Sequence, residues 1–523
     1  MIPLTLEEAA AACGGRLEAG DPGTMVAGVA VDSRQVVPGD LFFGLRGESF
    51  EGGDFAAAAV AAGAVAAVVT ERTASGLRAG TPRVVVDDCQ VALGGLAGAV
   101  RRRSQAVVVA VTGSVGKTST KDILAALLAP VARVVATSGN FNNEIGVPLT
   151  VFALEPETEV LVCELAMRGR GQIAELAAIV KPDVGVITNI APVHLELMGT
   201  IEQVAAAKAE IIAEVGHGGL VVPANEALLE PHLRFHTGRL VTFGREGADV
   251  CVVEAEVRGH ETHALIDAFG RRARFDFSFS GRHYLQDALA AIGAFIAAGY
   301  TLEEAKTGAR GVEFSALRGH IEELPGGGLL LNDTYNANPL SMKAAIDHLL
   351  AVAGERPPVA VLGDMFELGA DAAAYHREVG QYARAKGVRV LAVGTLARDY
   401  LSDAEDGARE VSRDGVRDAA RVVSRDGAHE GARDGARDVS RDGVREGPPD
   451  GVWYATVEEC IAALPGSIAR GSAVLVKASR LLRLERVVEA ILAPAAPRTA
   501  AGAGGPAAPG PSAPGAPVDG GRR

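Results

Sequence analysis

Residues 106–121 read AVVVAVTGSVGKTSTK: an apolar run, a Gly-Ser turn, then a lysine followed by hydroxyls. A stretch apolar on both alternating faces, Ala106–Val111, predicts a strand buried inside a parallel sheet. Consecutive backbone N–H groups in a glycine-rich turn that opens onto a helix N-terminus can cradle phosphate oxygens. The lysine then neutralises them and the hydroxyl behind it can hold magnesium. Gly113, Ser114, Gly116, Lys117, Thr118 and Ser119 are therefore candidate nucleotide-binding residues, with Ser119–Leu128 as the expected helix. Val111 stands where the full phosphate-loop pattern has glycine, so only the GxxGKT half is present. A chance Gly/Ser turn is the plain alternative, and the strand-loop-helix setting argues against it.

Downstream to about residue 315, apolar strand candidates Val160–Cys163, Val184–Thr188 and Leu220–Val222 alternate with helical stretches, which predicts a mostly parallel sheet covered by helices on both faces. Phe275, Phe277 and Phe279 alternate with polar residues and suggest an antiparallel edge strand. Glu164 closes one strand, and ligands of open α/β sheets bind outside the carboxyl ends of their strands. It could supply an oxygen to a phosphate-bound magnesium or be a simple surface carboxylate. His194 follows the next strand end and could be a ligand or a structural histidine. Lys208, in AAAKAEII, reads by itself as a solvated helix lysine.

The chain of 523 residues exceeds one hydrophobic core, so two or three domains are expected. Residues 1–103, with strand candidates Val65–Val69 and Val84–Val86, form a small α/β domain; 104–315 form the central domain. Residues 316–493, with strands at Leu329–Leu331, Val359–Leu362, Val388–Val393 and Ala473–Val476, form a third, Rossmann-like α/β domain. Within it, 402–450 repeat Ser-Arg-Asp-Gly with few large apolar side chains, which predicts a disordered insertion; a charged helix is the alternative, and its glycines count against that. The Ala/Pro/Gly-rich tail 494–523 is also expected to be disordered.

Hydrophobic residues make up 48% but aromatics only 4%, so the cores must be built from Ala, Val and Leu. A net charge of -14 argues against a nucleic-acid partner, which is normally met by a basic surface. Cys13, Cys89, Cys163, Cys251 and Cys460 form no CxxC pair and fit a reducing compartment. The start, MIPLTLEEAAAACGG, lacks a basic region followed by an apolar core, and no apolar run is long enough to span a bilayer. The expectation is a cytoplasmic protein without membrane insertion.

TGSVGKTSTK at 112–121, GNFNNEIGVP at 139–148, CELAMRGRGQI at 163–173, TNIAPVHLE at 188–196, AKAEI at 207–211, GRHYLQDALAA at 281–291 and NDTYNANPLSM at 332–342 resemble, in this order, the Mur ligase family. ELAMRGRGQI, DTYNANPLSM, VLGDMFELG at 361–369 and VKASRLLRLE at 476–485 are most similar to its branch that joins D-alanyl-D-alanine to UDP-N-acetylmuramoyl-tripeptide. A DNPR segment, the mark of the diaminopimelate-adding relatives, is absent from the sequence.

The resemblance implies a monomeric, ATP-dependent amide ligase of peptidoglycan precursor synthesis that works through an acyl phosphate, with ATP, Mg2+ and those two small molecules as its ligands. It implies that Lys117 and Thr118 hold the ATP phosphates and a first magnesium, that Glu164 joins the metal shell and that His194 holds a second magnesium. Lys208 matches the family lysine that CO2 converts to a carbamate, an acidic metal ligand. Asn140 and Asn143 would line the phosphate and substrate region, and His283 would lie near the nucleotide. Arg318 and Asp333 would be the pair that a closing third domain brings onto ATP, beside Tyr335, Asn336 and Asn338; a polar turn ended by Pro339 is the alternative for that loop. Lys477, Ser479 and Arg480 would contact ATP or the dipeptide, or form a solvated basic cluster.

In the first domain, 32–34 and 43–48 resemble the segment that grips UDP, with Ser33 and Arg34 as contacts. Val115, Gly53, Tyr284, Asp287 and Ala478 depart from the family pattern, where Asn, His, two Asn and Gly are usual. A sister ligase or a folylpolyglutamate-type relative would keep the ATP chemistry and change the acceptor. A non-ligase phosphate-loop protein would keep only residues 112–118.

Overall fold

Apolar runs separated by helices can hide their backbone polar groups only by lying side by side, and three large sheets result, beside a two-stranded pairing of Leu4–Thr5 with Met25–Val26. The computed structural model describes residues 1–402, 421–422 and 451–493. The first sheet holds β1 (Arg16–Glu18), β2 (Gly28–Ala30), β3 (Asp40–Phe43), β4 (Ala66–Thr70) and β5 (Arg83–Val86) in the order β1-β5-β4-β3-β2. All its pairs are parallel except β1 on β5. Helix α1 (Cys89–Arg103) follows, capped by the Asp88 carboxylate, which accepts from Gln90 and Val91 N–H. Its Leu93, Leu96 and Val100 are buried in one core with Leu41 and Val68 of the first sheet and Val108 and Leu161 of the next.

The second sheet contains β6 (Val107–Thr112), β7 (Val134–Ala136), β8 (Val160–Glu164), β9 (Val184–Ile187), β10 (Gly219–Pro223), β11 (Arg239–Gly244), β12 (Val250–Arg258), β13 (Glu261–Ala268) and β14 (Arg271–Phe277). Its order is β14-β13-β12-β11-β10-β9-β6-β8-β7. The strands from β7 to β12 are mutually parallel, and β13 and β14 continue as an antiparallel edge. The expected phenylalanine strand is this edge. Phe275, Phe277 and Phe279 stack with centroids 5.4 and 4.9 Å apart, although Phe279 lies just past the strand. After β6 the chain goes to one side, first to the edge strand β7 and back to β8, and then to the other through β9, so the loop after β6 opens at the switch point where α/β sheets leave a crevice. Helices α2 (Lys117–Leu128) and α3 (Arg282–Ala297) pack on one face, their Leu124, Leu127, Leu289 and Phe295 buried with Val109 and Val111.

The third sheet has β15 (His320–Leu324), β16 (Gly328–Asn332), β17 (Pro358–Gly363), β18 (Arg389–Val393), β19 (Arg421–Val422), β20 (Val452–Tyr454) and β21 (Ala473–Lys477) in the order β15-β16-β21-β17-β18-β20-β19. Its inner pairs are parallel, and β15 and β19 are antiparallel edges. Helix α4 (Pro339–Ala353) covers one face. The expected disorder of 402–450 and of 494–523 concerns residues outside those described, apart from Ser402 and β19; the two residues of β19 pair with Val452 and Trp453 and correct that expectation locally.

Phe295 is fully buried between α3 and the second sheet. Phe295→Ala is expected to lower the unfolding free energy by about 3–5 kcal/mol. Urea titration followed by circular dichroism measures this, and a loss below about 1 kcal/mol would contradict the packing described.

Candidate active site

Two glycines shape the loop after β6. Gly113 has φ +140°, and a Cβ there would lie 2.0 Å from Thr188 Oγ1; Gly116 has φ +81°, and its Cβ would lie 2.2 Å from an Asp287 carboxylate oxygen. Only glycine allows both approaches. The loop is tied to the segment after β9: Thr188 Oγ1 donates to Val115 O at 2.5 Å, and the Asn189 carboxamide both accepts from Val115 N at 2.9 Å and donates to Val115 O at 3.0 Å. Ser114 Oγ donates to Ala191 O at 3.1 Å. Val115 is thus held by its backbone, which explains why its side chain can depart from the usual asparagine. Lys117 folds back over the loop, its Nζ 2.9 Å from Gly113 O. Burial lowers its pKa and nearby Arg318 adds to that, while Glu164 opposes them.

Glu164 ends β8 directly beside Val111 of β6. Its two oxygens accept from Thr118 Oγ1 and Asn142 Nδ2, each at 2.7 Å. Lys208 lies in the helix Ile201–Ala209 and is 1% exposed, which overturns the solvated reading. Burial holds its pKa well below the usual lysine range, with Lys117 adding to the effect and Glu164 and Glu210 opposing it. No hydrogen bond or ion pair is found for its Nζ among the described residues.

Glu164, Lys117, Thr118 and His194 line one cavity of about 670 Å³ together with Asn140, Asn143 and His283. The third sheet supplies the opposite wall through Asp333, Tyr335, Asn336, Asn338 and Lys477, and Arg318 of the connecting segment completes it. Lys477, 3% exposed, donates from Nζ to Asp333 at 2.6 Å and to Asn336 O at 2.8 Å. The Arg318 guanidinium lies 3.9 Å from the centre of the Tyr335 ring. The linker before it is pinned by Asp122 of α2, which accepts from Ser315 N and Oγ at 2.8 and 3.1 Å. Tyr284 packs its ring 4.2 Å from that of Phe314 and brings its hydroxyl against Gly319, a structural use for a residue that departs from the family pattern.

Some expected residues also make structural contacts. Asn143 does line the cavity, and its Oδ1 accepts from Gly146 N at 2.9 Å; the adjacent Asn142 is the one on Glu164. Asn338 caps α4. Ser479 Oγ accepts from Phe366 N, and Arg480 lines a smaller neighbouring cavity. Ser33 and Arg34 lie away from the large cavity, Arg34 paired with Asp32 at 2.7 Å. A Cβ on Gly53 would meet Thr73 Oγ1 at 2.6 Å, so no side chain fits where histidine is usual. Glu367, on the Nδ1 of His194 at 2.5 Å, escapes sequence reasoning because nothing local links residues so far apart.

Comparison with known proteins shows the family to which the chain is similar. Residues 25–101 match the profile described as Mur ligase family, catalytic domain; 111–295 match the Mur ligase middle domain; and 320–480 match the Mur ligase, glutamate ligase domain. The chain is 38% identical over 378 residues, 72% of its own length and 80% of its relative's, to the UDP-N-acetylmuramoyl-tripeptide--D-alanyl-D-alanine ligase of Synechocystis sp.. It is 33% identical to the same enzyme of Bacillus subtilis, covering 90% of this chain and 94% of that one. Among solved structures it is similar to MurF of Acinetobacter baumannii, with a TM-score of 0.78 at 27% identity over 94% of this chain and 99% of that one. The MurF ligase of Thermotoga maritima in complex with ADP gives a TM-score of 0.72 at 27% identity over 89% and 97%.

Burial pushes the Asp287 carboxyl well above the usual range, opposed in part by Arg318 and Ser119. The unfolded chain therefore ionises first as pH rises past about 4, and stability falls until the folded carboxyl also ionises. Asp287→Asn is expected to flatten that fall. Urea midpoints measured from about pH 4 to pH 8 check it, and an unchanged slope would contradict the buried acid.

Proposed function

The chain belongs to the Mur ligase family, and we propose that it joins D-alanyl-D-alanine to UDP-N-acetylmuramoyl-tripeptide with ATP as the energy source, the step that completes the peptide of the peptidoglycan precursor. The observation that carries this reading is the single cavity in which the phosphate loop faces Asp333, Asn336 and Lys477 of the third sheet. ATP chemistry and a ligase-specific wall therefore share one space.

The tripeptide carboxylate attacks the γ-phosphorus of ATP, the bond to ADP breaks, and an acyl phosphate forms. The amine of D-alanyl-D-alanine then adds to its carbonyl carbon, and collapse of the tetrahedral intermediate expels phosphate. Lys117 and the amides of the phosphate loop meet charge on the transferring oxygens, and Arg318, held over Tyr335, adds a second cation. The third sheet excludes water from a hydrolysable intermediate by walling the cavity. Half-buried Ser33 and exposed Arg34, in the turn after β2, are left to hold the UDP end.

Thr118 and Glu164 offer the hard oxygen donors that magnesium takes, and a site of one or two protein ligands completed by phosphate and water is usual for it. Bound there, magnesium would neutralise phosphate charge, with His194 available to a second ion. Among the described residues no group of three or more His, Cys, Asp and Glu converges, so a further acidic ligand would have to come from elsewhere. Lys208 can provide one, since a neutral amine adds CO2, releasing a proton and leaving a carbamate next to Glu164. Among the described residues no helix is long and apolar enough to cross a membrane. ATP and a nucleotide-linked substrate fit a cytoplasmic enzyme.

Phosphate release is expected to require ATP, magnesium, UDP-N-acetylmuramoyl-tripeptide and D-alanyl-D-alanine together. Lys117→Ala should lower kcat on the order of a hundredfold or more. Equal release with a different amine acceptor would overturn the assignment. In enzyme equilibrated with 13C-bicarbonate, a carbamate carbon resonance is expected that disappears in Lys208→Ala; a spectrum without it would remove the modified lysine from the scheme.

A further inference from the structure

His194 and Glu367 meet across the seam between the second and third sheets, and the mechanism above gives Glu367 nothing to do. The contact is built from both sides. His194 has φ +54° and Glu367 φ +64°, left-handed conformations that cost a residue with a side chain and persist where the surroundings impose them. Glu196 N donates to Glu367 O at 3.4 Å, and Gly369 backs onto Leu195 and Glu196, where a Cβ would lie 3.5 Å from Glu196 N.

The loop that presents Glu367 is firmly held. Asp364 accepts from Thr395 N and Ala397 N at 3.1 and 2.6 Å. His376 Nε2 accepts from Met365 N at 3.0 Å, and Ser479 Oγ accepts from Phe366 N at 3.0 Å. Met365 and Leu368 on either side are buried. Asp364, His376 and Ser479, none of which lines the large cavity, thus serve one end.

An ionised carboxylate only accepts hydrogen bonds, so the Nδ1 it touches must carry the proton. Nε2 is the ring nitrogen left to a ligand, and His194 lines the cavity. A carboxylate on the far nitrogen is the usual way a metal-binding histidine is held in one tautomer and one orientation. We infer that Glu367 is a positioning residue: docking of the third sheet fixes the His194 ring with its proton on Nδ1 and Nε2 turned to the cavity. The second cation site is therefore complete only when the two units are together. This rests on His194 as a metal ligand, as proposed above, and adds that the third unit controls it.

The test uses full-length enzyme labelled with 15N-histidine, free of nucleotide, with His194→Ala to assign the ring. The wild-type ring is expected as the neutral Nδ1-H tautomer, shifting to Nε2-H or a mixture in Glu367→Ala and largely restored in Glu367→Gln, whose amide oxygen also accepts. In the coupled assay, Glu367→Ala should lose about 10- to 100-fold in kcat with little change in KM for tripeptide, and Glu367→Gln should recover most of it. An imidazolium in the wild type overturns the inference. So do a tautomer and kcat unchanged in Glu367→Ala while His194→Ala is inactive. Full turnover by His194→Ala would instead overturn the ligand role of His194. If the alanine variant fails to fold, Glu367→Gln decides: it should keep the Nδ1-H tautomer.

Discussion

Gly113 and Thr188 approach so closely that no side chain could stand between them. The rest of the site follows from that contact. It lets Thr188 and Asn189 hold both polar groups of the Val115 peptide and lets Ser114 bond Ala191, so the phosphate loop and the segment leading to His194 become one rigid body. Phosphate recognition and cation placement are normally separate problems. In the proposed site a single backbone approach would serve both, because the strands that carry the two segments, β6 and β9, are hydrogen-bonded neighbours.

What the sequence revealed about this centre depended on how local each signal was. The β6 strand and its loop are written in consecutive residues, and Glu164 is found by its place at a strand end. Lys208 reads as a surface lysine from its own helix, and only a family likeness singled it out; its burial comes from helices and strands distant in the sequence. Asn142 and Asn143 are equivalent on paper, and the choice between them turns on which one the Gly146 N–H engages. Strand β12 escapes the pattern because Glu254 and Glu256 face solvent and break the apolar run that reveals the buried strands. Edge strands such as β7 are too short to stand out.

Charge in the third sheet is arranged differently from charge in the second. Lys477 is buried, and Asp333 and the Asn336 carbonyl compensate it, so the pair is positioned without leaving a bare charge in the cavity wall. His348 of α4 reaches across to Ser280 at 2.8 Å, and burial pulls its pKa down to about 4, so it crosses the seam as a neutral hydrogen-bonding group. With the Glu367 contact, the seam is polar and specific rather than greasy. Surfaces of that kind can part and rejoin without exposing a large apolar face.

The core threaded by α1 has a further consequence. Leu93, Leu96 and Val100 belong to a hydrophobic cluster that runs without interruption from the first sheet into the second, whereas the third sheet encloses clusters of its own. Three sheets therefore make only two cooperative melting blocks. Heat or denaturant would release the carboxy-terminal block alone and leave the amino-terminal pair standing or falling together, with the short linker at 315–319 as the fuse between them.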